Sequence, residues 1–191
     1  MISIDPRAAA ERLKGITKRT PLEYNHSLSE KYGCEVYLKR EDLQVVRSYK
    51  LRGAFNLISQ LPEDKIVNGV VCASAGNHAQ GFALSCARLK IKGVVFMPQP
   101  TPKQKINQTK MFGGAFIDIV LTGDTFDDCQ KEALKYTEMQ QMTFVPPFDH
   151  PQIIEGQATV GLEILQDLPD VDAVIIPVGG GGLSAGTAML L

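Results

Sequence analysis

Several features that mark other classes of protein are missing from this 191-residue sequence. The four cysteines show no paired spacing such as Cys-x-x-Cys and the histidines show no metal-ligand spacing, so we expect no metal site. The 20 basic and 21 acidic residues are interspersed, which leaves no charged surface for nucleic acid or an anionic membrane. No apolar run approaches the roughly 20 residues of a membrane span. We therefore expect small-molecule chemistry.

The N-terminus also lacks the pattern of a secretion signal. Residues 1–6 have no basic flank with an apolar stretch behind it, so we expect no signal peptide. Cys72 and Cys86 lie inside apolar segments and are expected to pack as small core hydrophobes. Together these absences predict a protein of the reducing cytoplasm.

Helices and short apolar strands alternate in the middle of the chain. The predicted helices 51–61, 78–89, 102–112 and 125–140 lead in turn to the predicted strands 69–73, 93–98, 115–121 and 143–145. Alternation at this spacing predicts βαβ units and a parallel sheet. Because the strands are apolar throughout, we expect helices to cover both faces of the sheet.

The flanking regions are less regular. Before the alternation, we predict a helix capped by Asp5, a short helix 27–32 closed by Gly33, and a strand 35–39. After it, three prolines in residues 146–151 exclude a helix or strand there. A helix 153–168, a central strand 172–178 and a further helix from Leu183 or Ser184 are expected to follow.

Lys50 is the first candidate functional residue, because it stands where a polar loop enters a predicted helix. The unpaired amides of a helix start carry partial positive charge, and this charge, together with burial, disfavours the ammonium form. A neutral lysine amine can attack a carbonyl compound and form a Schiff base. The alternative is an ordinary exposed lysine, since lysine is rarely buried.

Two loops of small residues are candidate anion sites. Residues 74–81 follow an apolar strand and open a helix, where backbone N–H groups point at a negative ligand. Residues 179–182 are four consecutive glycines after a predicted strand, and they can present successive N–H donors to phosphate oxygens. This loop lacks the Walker lysine and the dinucleotide spacing, so neither a nucleoside triphosphate nor NAD is favoured.

These three stretches, together with residues 20–22, 37–43 and 149–156, resemble the serine/threonine dehydratase family of pyridoxal-phosphate enzymes. The resemblance implies an α/β protein of PLP fold type II, similar to tryptophan synthase β, with parallel sheets flanked by helices. It implies a small domain, 53–148, inserted in a larger one formed by 1–52 and 149–191. Because the family continues beyond this length and the chain stops in an apolar helix, we expect the larger domain to be truncated.

The resemblance also implies roles for individual residues. Lys50 is implied to hold pyridoxal 5'-phosphate covalently and then to remove the Cα proton of the substrate. Tyr49 beside it, where the family more often has phenylalanine, is implied to bind the cofactor. Asn77 is implied to bind the ring oxygen of the cofactor, although a helix N-cap is the alternative. The implied phosphate site consists of Gly179, Gly180, Gly181, Gly182 and Leu183, and the implied site for the substrate carboxylate consists of Ser74, Ala75, Gly76, Asn77 and His78.

The implied reaction is α,β-elimination from threonine to 2-oxobutanoate and ammonia, in isoleucine biosynthesis, by a cytoplasmic homo-oligomer. One alternative is a serine dehydratase or racemase of the same family, with Ser74 as the second base. Another is an inactive fragment that only oligomerises. We expect Arg52 to be a surface or interface charge without a chemical role, and residues 39–42 to form a solvated charged turn.

Overall fold

The computed structural model describes residues 3–191, so Met1 and Ile2, which belong to the stretch assessed for a signal peptide, lie outside it. The first helix, α1 (Pro6–Arg12), begins as predicted: the Asp5 carboxylate accepts hydrogen bonds from the amides of Arg7 and Ala8, both at 3.0 Å. No helix in the described part of the chain is long and apolar enough to cross a membrane.

A small antiparallel pair follows α1. Strand β1 (Leu22–Tyr24) pairs with β2 (Tyr37–Lys39), and α2 (His26–Tyr32) connects them. Gly33 ends α2 in the left-handed conformation, with φ of 66°. Strand β2 lies within the predicted strand 35–39, whereas β1 was not predicted because three residues are too few to show an alternating pattern. A 3-10 turn, Glu41–Leu43, then leads towards α3 (Lys50–Ile58).

A four-stranded parallel sheet forms the centre of the structure. Its order is β5-β4-β3-β6, from β3 (Val70–Ala73), β4 (Gly93–Met97), β5 (Ile117–Leu121) and β6 (Thr143–Phe144). The short α4 (Glu63–Ile66) precedes β3, and the strands are joined by α5 (Asn77–Leu89), α6 (Lys103–Gly113) and α7 (Phe126–Met139). This arrangement confirms the predicted α/β class and the parallel sheet.

Both faces of the sheet are covered, as the apolar strands predicted. Alternate residues of β3 point to opposite faces. Val70 and Cys72 pack with Phe82 of α5, whereas Val71 and Ala73 pack with Cys129 of α7 and its neighbours. Cys86 joins the α5 side of the core, so the prediction that Cys72 and Cys86 are core residues is confirmed.

The helix α3 is held in close contact with two other helices, α5 and α8 (Pro151–Asp167), and α8 in turn packs on α9 (Gly182–Ala188). Two glycines allow this approach. A Cβ atom added at Gly81 of α5 would lie 2.8 Å from the backbone nitrogen of Leu51, and one added at Gly156 of α8 would lie 2.6 Å from the carbonyl oxygen of Arg52. The first turn of α3 is therefore enclosed on two sides by backbone.

The prediction of a central strand at 172–178 is wrong. Within residues 3–191 this segment pairs with no strand, and the side chains of Ile175 and Val178 are 97% and 72% exposed. Its β-branched composition favours extended backbone, but a strand also needs a neighbour to satisfy its N–H and C=O groups. The predicted boundary between residues 52 and 53 falls within α3, and the division into domains stays a prediction.

Candidate active site

Lys50 is the first residue of α3, at the position predicted for it. Its side chain is partly buried, and its amine donates a hydrogen bond of 2.8 Å to the carbonyl oxygen of Pro147. Removal from water disfavours the ammonium ion and so lowers the pKa of Lys50. The Pro147 carbonyl oxygen accepts this hydrogen bond but carries no full negative charge. It therefore orients the Lys50 amine while leaving its neutral form accessible.

Two aromatic rings lie beside this amine. The Nζ atom is 5.5 Å from the centroid of the Tyr49 ring and 6.0 Å from that of the Phe148 ring. Burial raises the pKa of the Tyr49 hydroxyl, which is half-buried. The two rings occupy space that water would otherwise fill, which accounts for part of the desolvation of Lys50.

The loop of four glycines, residues 179–182, which we call the glycine loop, also lies against Phe148. A Cβ added at Gly180 would lie 2.2 Å from Cγ of the Phe148 ring, and one added at Gly182 would lie 2.9 Å from the Phe148 carbonyl oxygen. Gly181 has a φ of 82°, in the left-handed region that other residues rarely adopt, and α9 begins immediately after it. The fold therefore brings the lysine and the glycine loop, which are distant in sequence, to the same phenylalanine.

The loop between β3 and α5 has the geometry of an anion site. The amide of Ser74 continues the sheet with a bond of 3.0 Å to the Phe96 carbonyl oxygen, and the Ser74 hydroxyl accepts a bond of 3.2 Å from the amide of Gly76. Gly76 is the N-cap of α5, and no side chain caps the helix. The first amides of this 13-residue helix are therefore available to a ligand.

The alternative role of Asn77 as an N-cap is wrong. Asn77 is the first helical residue of α5, one position after the cap, and its side chain is exposed. Ala75, by contrast, is partly buried and packs against the core of the sheet. The loop thus presents one exposed amide side chain, that of Asn77, beside a row of small residues.

His78 is buried, with 3% of its surface exposed. Its Nε2 atom lies 3.2 Å from the carbonyl oxygen of Val145, and because a carbonyl only accepts, Nε2 carries the hydrogen. Desolvation lowers the pKa of His78 to about 4 in spite of this hydrogen bond, and the charge of Lys50 acts in the same direction. The side chain is therefore neutral and fixes α5 to the end of β6, as a structural residue.

Arg52 is the main correction to the sequence-based expectations, because it is buried rather than a surface charge. Its side chain is 1% exposed, and its guanidinium binds two carboxylates: Glu41, at 2.9 and 2.7 Å, and Glu163, at 2.7 and 3.0 Å. It also donates to the hydroxyl of Thr159 at 3.0 Å. Desolvation alone would lower the pKa of Arg52, but the hydrogen bonds to both glutamates raise it.

The expectation of a solvated charged turn at 39–42 is half wrong. The amine of Lys39 is buried and lies 2.6 Å from Glu163, so with Arg52 and Glu41 it completes a cluster of two positive and two negative groups. Arg40 and Asp42, by contrast, pair with each other on the surface. We call the four residues Lys39, Glu41, Arg52 and Glu163 the buried ion cluster.

Pro147, Phe148 and the buried ion cluster were not identified from the sequence. The prolines of 146–151 were interpreted only as a connection, and the partners of Arg52 come from α8 and from the turn after β2. One signal in the sequence indicated that Arg52 is buried: the helical residues that follow it are almost all apolar or small. Within residues 3–191, no group of three His, Cys, Asp or Glu side chains is arranged to hold a metal ion.

Comparison with known proteins accounts for this combination of features. A family model described as pyridoxal-phosphate dependent enzyme matches residues 13–191. The L-threonine dehydratase biosynthetic IlvA of Halalkalibacterium halodurans is 54% identical over 179 residues, which are 93% of this chain and 43% of that protein. The protein of the same name from Bacillus subtilis is 52% identical over 184 residues, 96% of this chain and 44% of its own length.

Solved structures of threonine deaminase and serine racemase are also similar to this chain. The processed form of threonine deaminase isoform 2 from Solanum lycopersicum has a TM-score of 0.87 at 44% identity and covers 96% of this chain and 52% of its own. Maize serine racemase has a TM-score of 0.91 at 30% identity, with coverage of 96% and 55%. The chain spans less than half the length of the two IlvA proteins and has the expected type II fold. The match over residues 13–191 shows that the chain belongs to the family of pyridoxal-phosphate dependent enzymes.

Proposed function

We propose that the chain belongs to a threonine dehydratase, an ammonia-lyase that converts L-threonine to 2-oxobutanoate and ammonia. To this enzyme it would contribute Lys50 as the cofactor lysine, residues 179–183 as the phosphate site and residues 74–78 as the site for the substrate carboxylate. The observation that carries the proposal is the partly buried amine of Lys50, which is held by the Pro147 carbonyl oxygen and lies near the Phe148 ring that also contacts the glycine loop. The identity of 54% and 52% to proteins named L-threonine dehydratase supports threonine as the substrate.

The residues of the site fit pyridoxal phosphate. At Gly76, Gly179 and Gly181, an added Cβ would meet nothing within 4 Å, so backbone amides in both loops can be approached by a ligand. The hydroxyl of Ser48, two residues before Lys50, is buried and has no hydrogen-bond partner among the described residues. Backbone donors suit a phosphate and a carboxylate, and a desolvated amine suits an aldehyde.

Each part of the site has a distinct task. Lys50 would hold the cofactor through Nζ and, once released, accept the proton from Cα of threonine, and its lowered pKa increases the fraction of neutral amine that can do so. The amides of 179–183 would bind the phosphate and those of 74–78 the substrate carboxylate, while the side chain of Asn77 and the ring of Tyr49 would contact the cofactor ring. The bound cofactor supplies the electron sink for the negative charge that develops at Cα.

The test is cofactor binding by the chain, followed by borohydride reduction and peptide mass mapping. We expect a visible absorption band and a reduced adduct on Lys50, and loss of both in Lys50→Ala. Lys103→Ala is the matched control, because Lys103 is also the first residue of a helix but is exposed. Absence of the band, or an adduct spread over surface lysines, would refute the proposal and favour the inactive fragment.

A second candidate is a serine dehydratase or racemase. The likeness to maize serine racemase supports it, as does the hydroxyl of Ser74, which lies in the loop proposed to bind the substrate. Product analysis separates the candidates: 2-oxobutanoate from threonine supports the first, pyruvate from serine supports a serine dehydratase, and a D-amino acid supports a racemase.

We also propose a division into domains, an oligomeric state and a cellular role. We propose that the segments 1–52 and 149–191 belong to one domain and residues 53–148 to another. We also propose a homo-oligomeric, cytoplasmic enzyme of isoleucine biosynthesis, supported by the biosynthetic names of the bacterial relatives and by four cysteines that are all unpaired in the described residues. Limited proteolysis would test the domains, and sedimentation of the chain would test its assembly.

A further inference from the structure

The dipeptide Pro147–Phe148 contacts both candidate parts of the active site. On one side, the Pro147 carbonyl oxygen accepts from Lys50 at 2.8 Å, and the Phe148 ring centroid is 6.0 Å from the same amine. On the other side, the Phe148 ring lies so close to Gly180 that an added Cβ would be 2.2, 2.3 and 2.5 Å from three ring carbons. Real Cβ atoms do not approach other atoms so closely, so a side chain at 180 forces the ring or the loop to shift.

Neighbouring glycines do not make this contact. A Cβ at Gly179 would meet nothing within 4 Å, and Gly182 approaches only the backbone of Phe148. The contact is therefore specific to one position of the loop and to one side chain. Because the same ring lies against that position and near the lysine amine, we expect movement of the loop to reach Lys50 through Phe148.

We propose that Phe148 is a positioning residue that couples the glycine loop to Lys50 by fixing the distance between the phosphate donors and the amine. Its relevance to cofactor binding rests on the proposed function, whereas the coupling itself is a property of the chain alone. A change that displaces the ring, made on the loop side, should expose the lysine amine to water. The same change should do nothing when the ring is absent.

The experiment is a double-mutant cycle on the reactivity of Lys50, without cofactor. Lys50 in the unmodified chain, Gly180→Ala, Phe148→Ala and the double variant is acetylated over a range of pH and quantified by mass spectrometry, with exposed Lys103 as internal reference. We expect Gly180→Ala to raise the pH midpoint of Lys50 labelling by about half a unit, a roughly threefold change in its neutral fraction. In the Phe148→Ala background, Gly180→Ala should add no further shift.

Gly179→Ala is the matched control, since it adds the same methyl group to the same loop in open space, and it should leave the labelling profile unchanged. The coupling is refuted if Gly180→Ala leaves the Lys50 profile unchanged or shifts it equally in both backgrounds. Should Phe148→Ala lose its cooperative unfolding transition, Phe148→Leu takes its place, because it preserves most of the volume without a flat ring. Failure of the chain to bind cofactor would overturn the proposed function and leave this result standing.

Discussion

Replacing Arg52 with methionine should destabilise the fold by about 3 to 5 kcal/mol, the range for removing one partner from a buried ion pair. The Arg52 side chain is 1% exposed, and the side chains of its two carboxylate partners, Glu41 and Glu163, are 12% and 13% exposed. Without it, Lys39 still pairs with Glu163 but Glu41 loses its cationic partner, so the buried ion cluster changes from neutral to a net charge of −1. Methionine fills part of the volume but supplies no donor.

The assay is thermal unfolding followed by circular dichroism. For a chain of this size, about 2–4 °C of midpoint corresponds to 1 kcal/mol, so we expect a fall of roughly 6–20 °C. Arg40→Met is the matched control: it makes the same change at a partly exposed surface position, where Arg40 pairs with Asp42 and Glu23, and it should leave the midpoint almost unchanged.

A compensating variant tests whether the net charge of the buried ion cluster causes the loss of stability. Adding Glu41→Gln to Arg52→Met restores neutrality, because the pair of Lys39 and Glu163 remains. The double variant should therefore recover part of the lost midpoint. A midpoint for Arg52→Met no lower than that for Arg40→Met would refute the reasoning, and a double variant less stable than Arg52→Met would refute the charge balance.

Two further predictions concern pH and packing. Burial lowers the pKa of His78 in the folded chain to about 4 from 6.5, so the neutral ring stabilises the fold fully above the unfolded-state value, and about 3 kcal/mol is lost as pH falls through about 4. His78→Gln should flatten the pH dependence of the unfolding midpoint, whereas His26→Gln, at an exposed position, should not; equal slopes would contradict the argument. Gly156→Ala should lower the free energy of unfolding in urea by about 1–3 kcal/mol, because its methyl group would lie 2.6 Å from the Arg52 carbonyl oxygen. An equal loss for Gly179→Ala would contradict this prediction.

The elements that could be predicted from the sequence are those set by local chemistry. Asp5 caps α1 and Gly33 ends α2 because each acts on residues within a few positions of itself. The apolar runs of β3 and β4 likewise predicted a sheet with two covered faces. Residues 172–178 carry an equally apolar run, but a strand depends on a distant partner, and no pattern within the run reveals whether that partner is present.

The site divides in the same way. The loop of Ser74 to Gly76 and the four glycines could be recognised from their composition. Small residues in a row have few structural uses other than forming turns and donating backbone hydrogen bonds. Arg52 and Phe148 have side chains that suit many environments, and their partners are contributed by other elements of the fold. Only the tertiary structure shows that one is buried among carboxylates and that the other touches both halves of the site.

The exposed run at residues 172–178 has a practical consequence for work with the chain. Its backbone pairs with no strand among the described residues, and the side chains of Ile175 and Val178 are exposed, so another extended chain can add to it, the usual origin of edge-to-edge aggregation. Pro177 interrupts the run by removing one donor, but the residues before it are uninterrupted. Aggregation should therefore increase steeply with protein concentration, and a charged residue in place of Ile175 should reduce it.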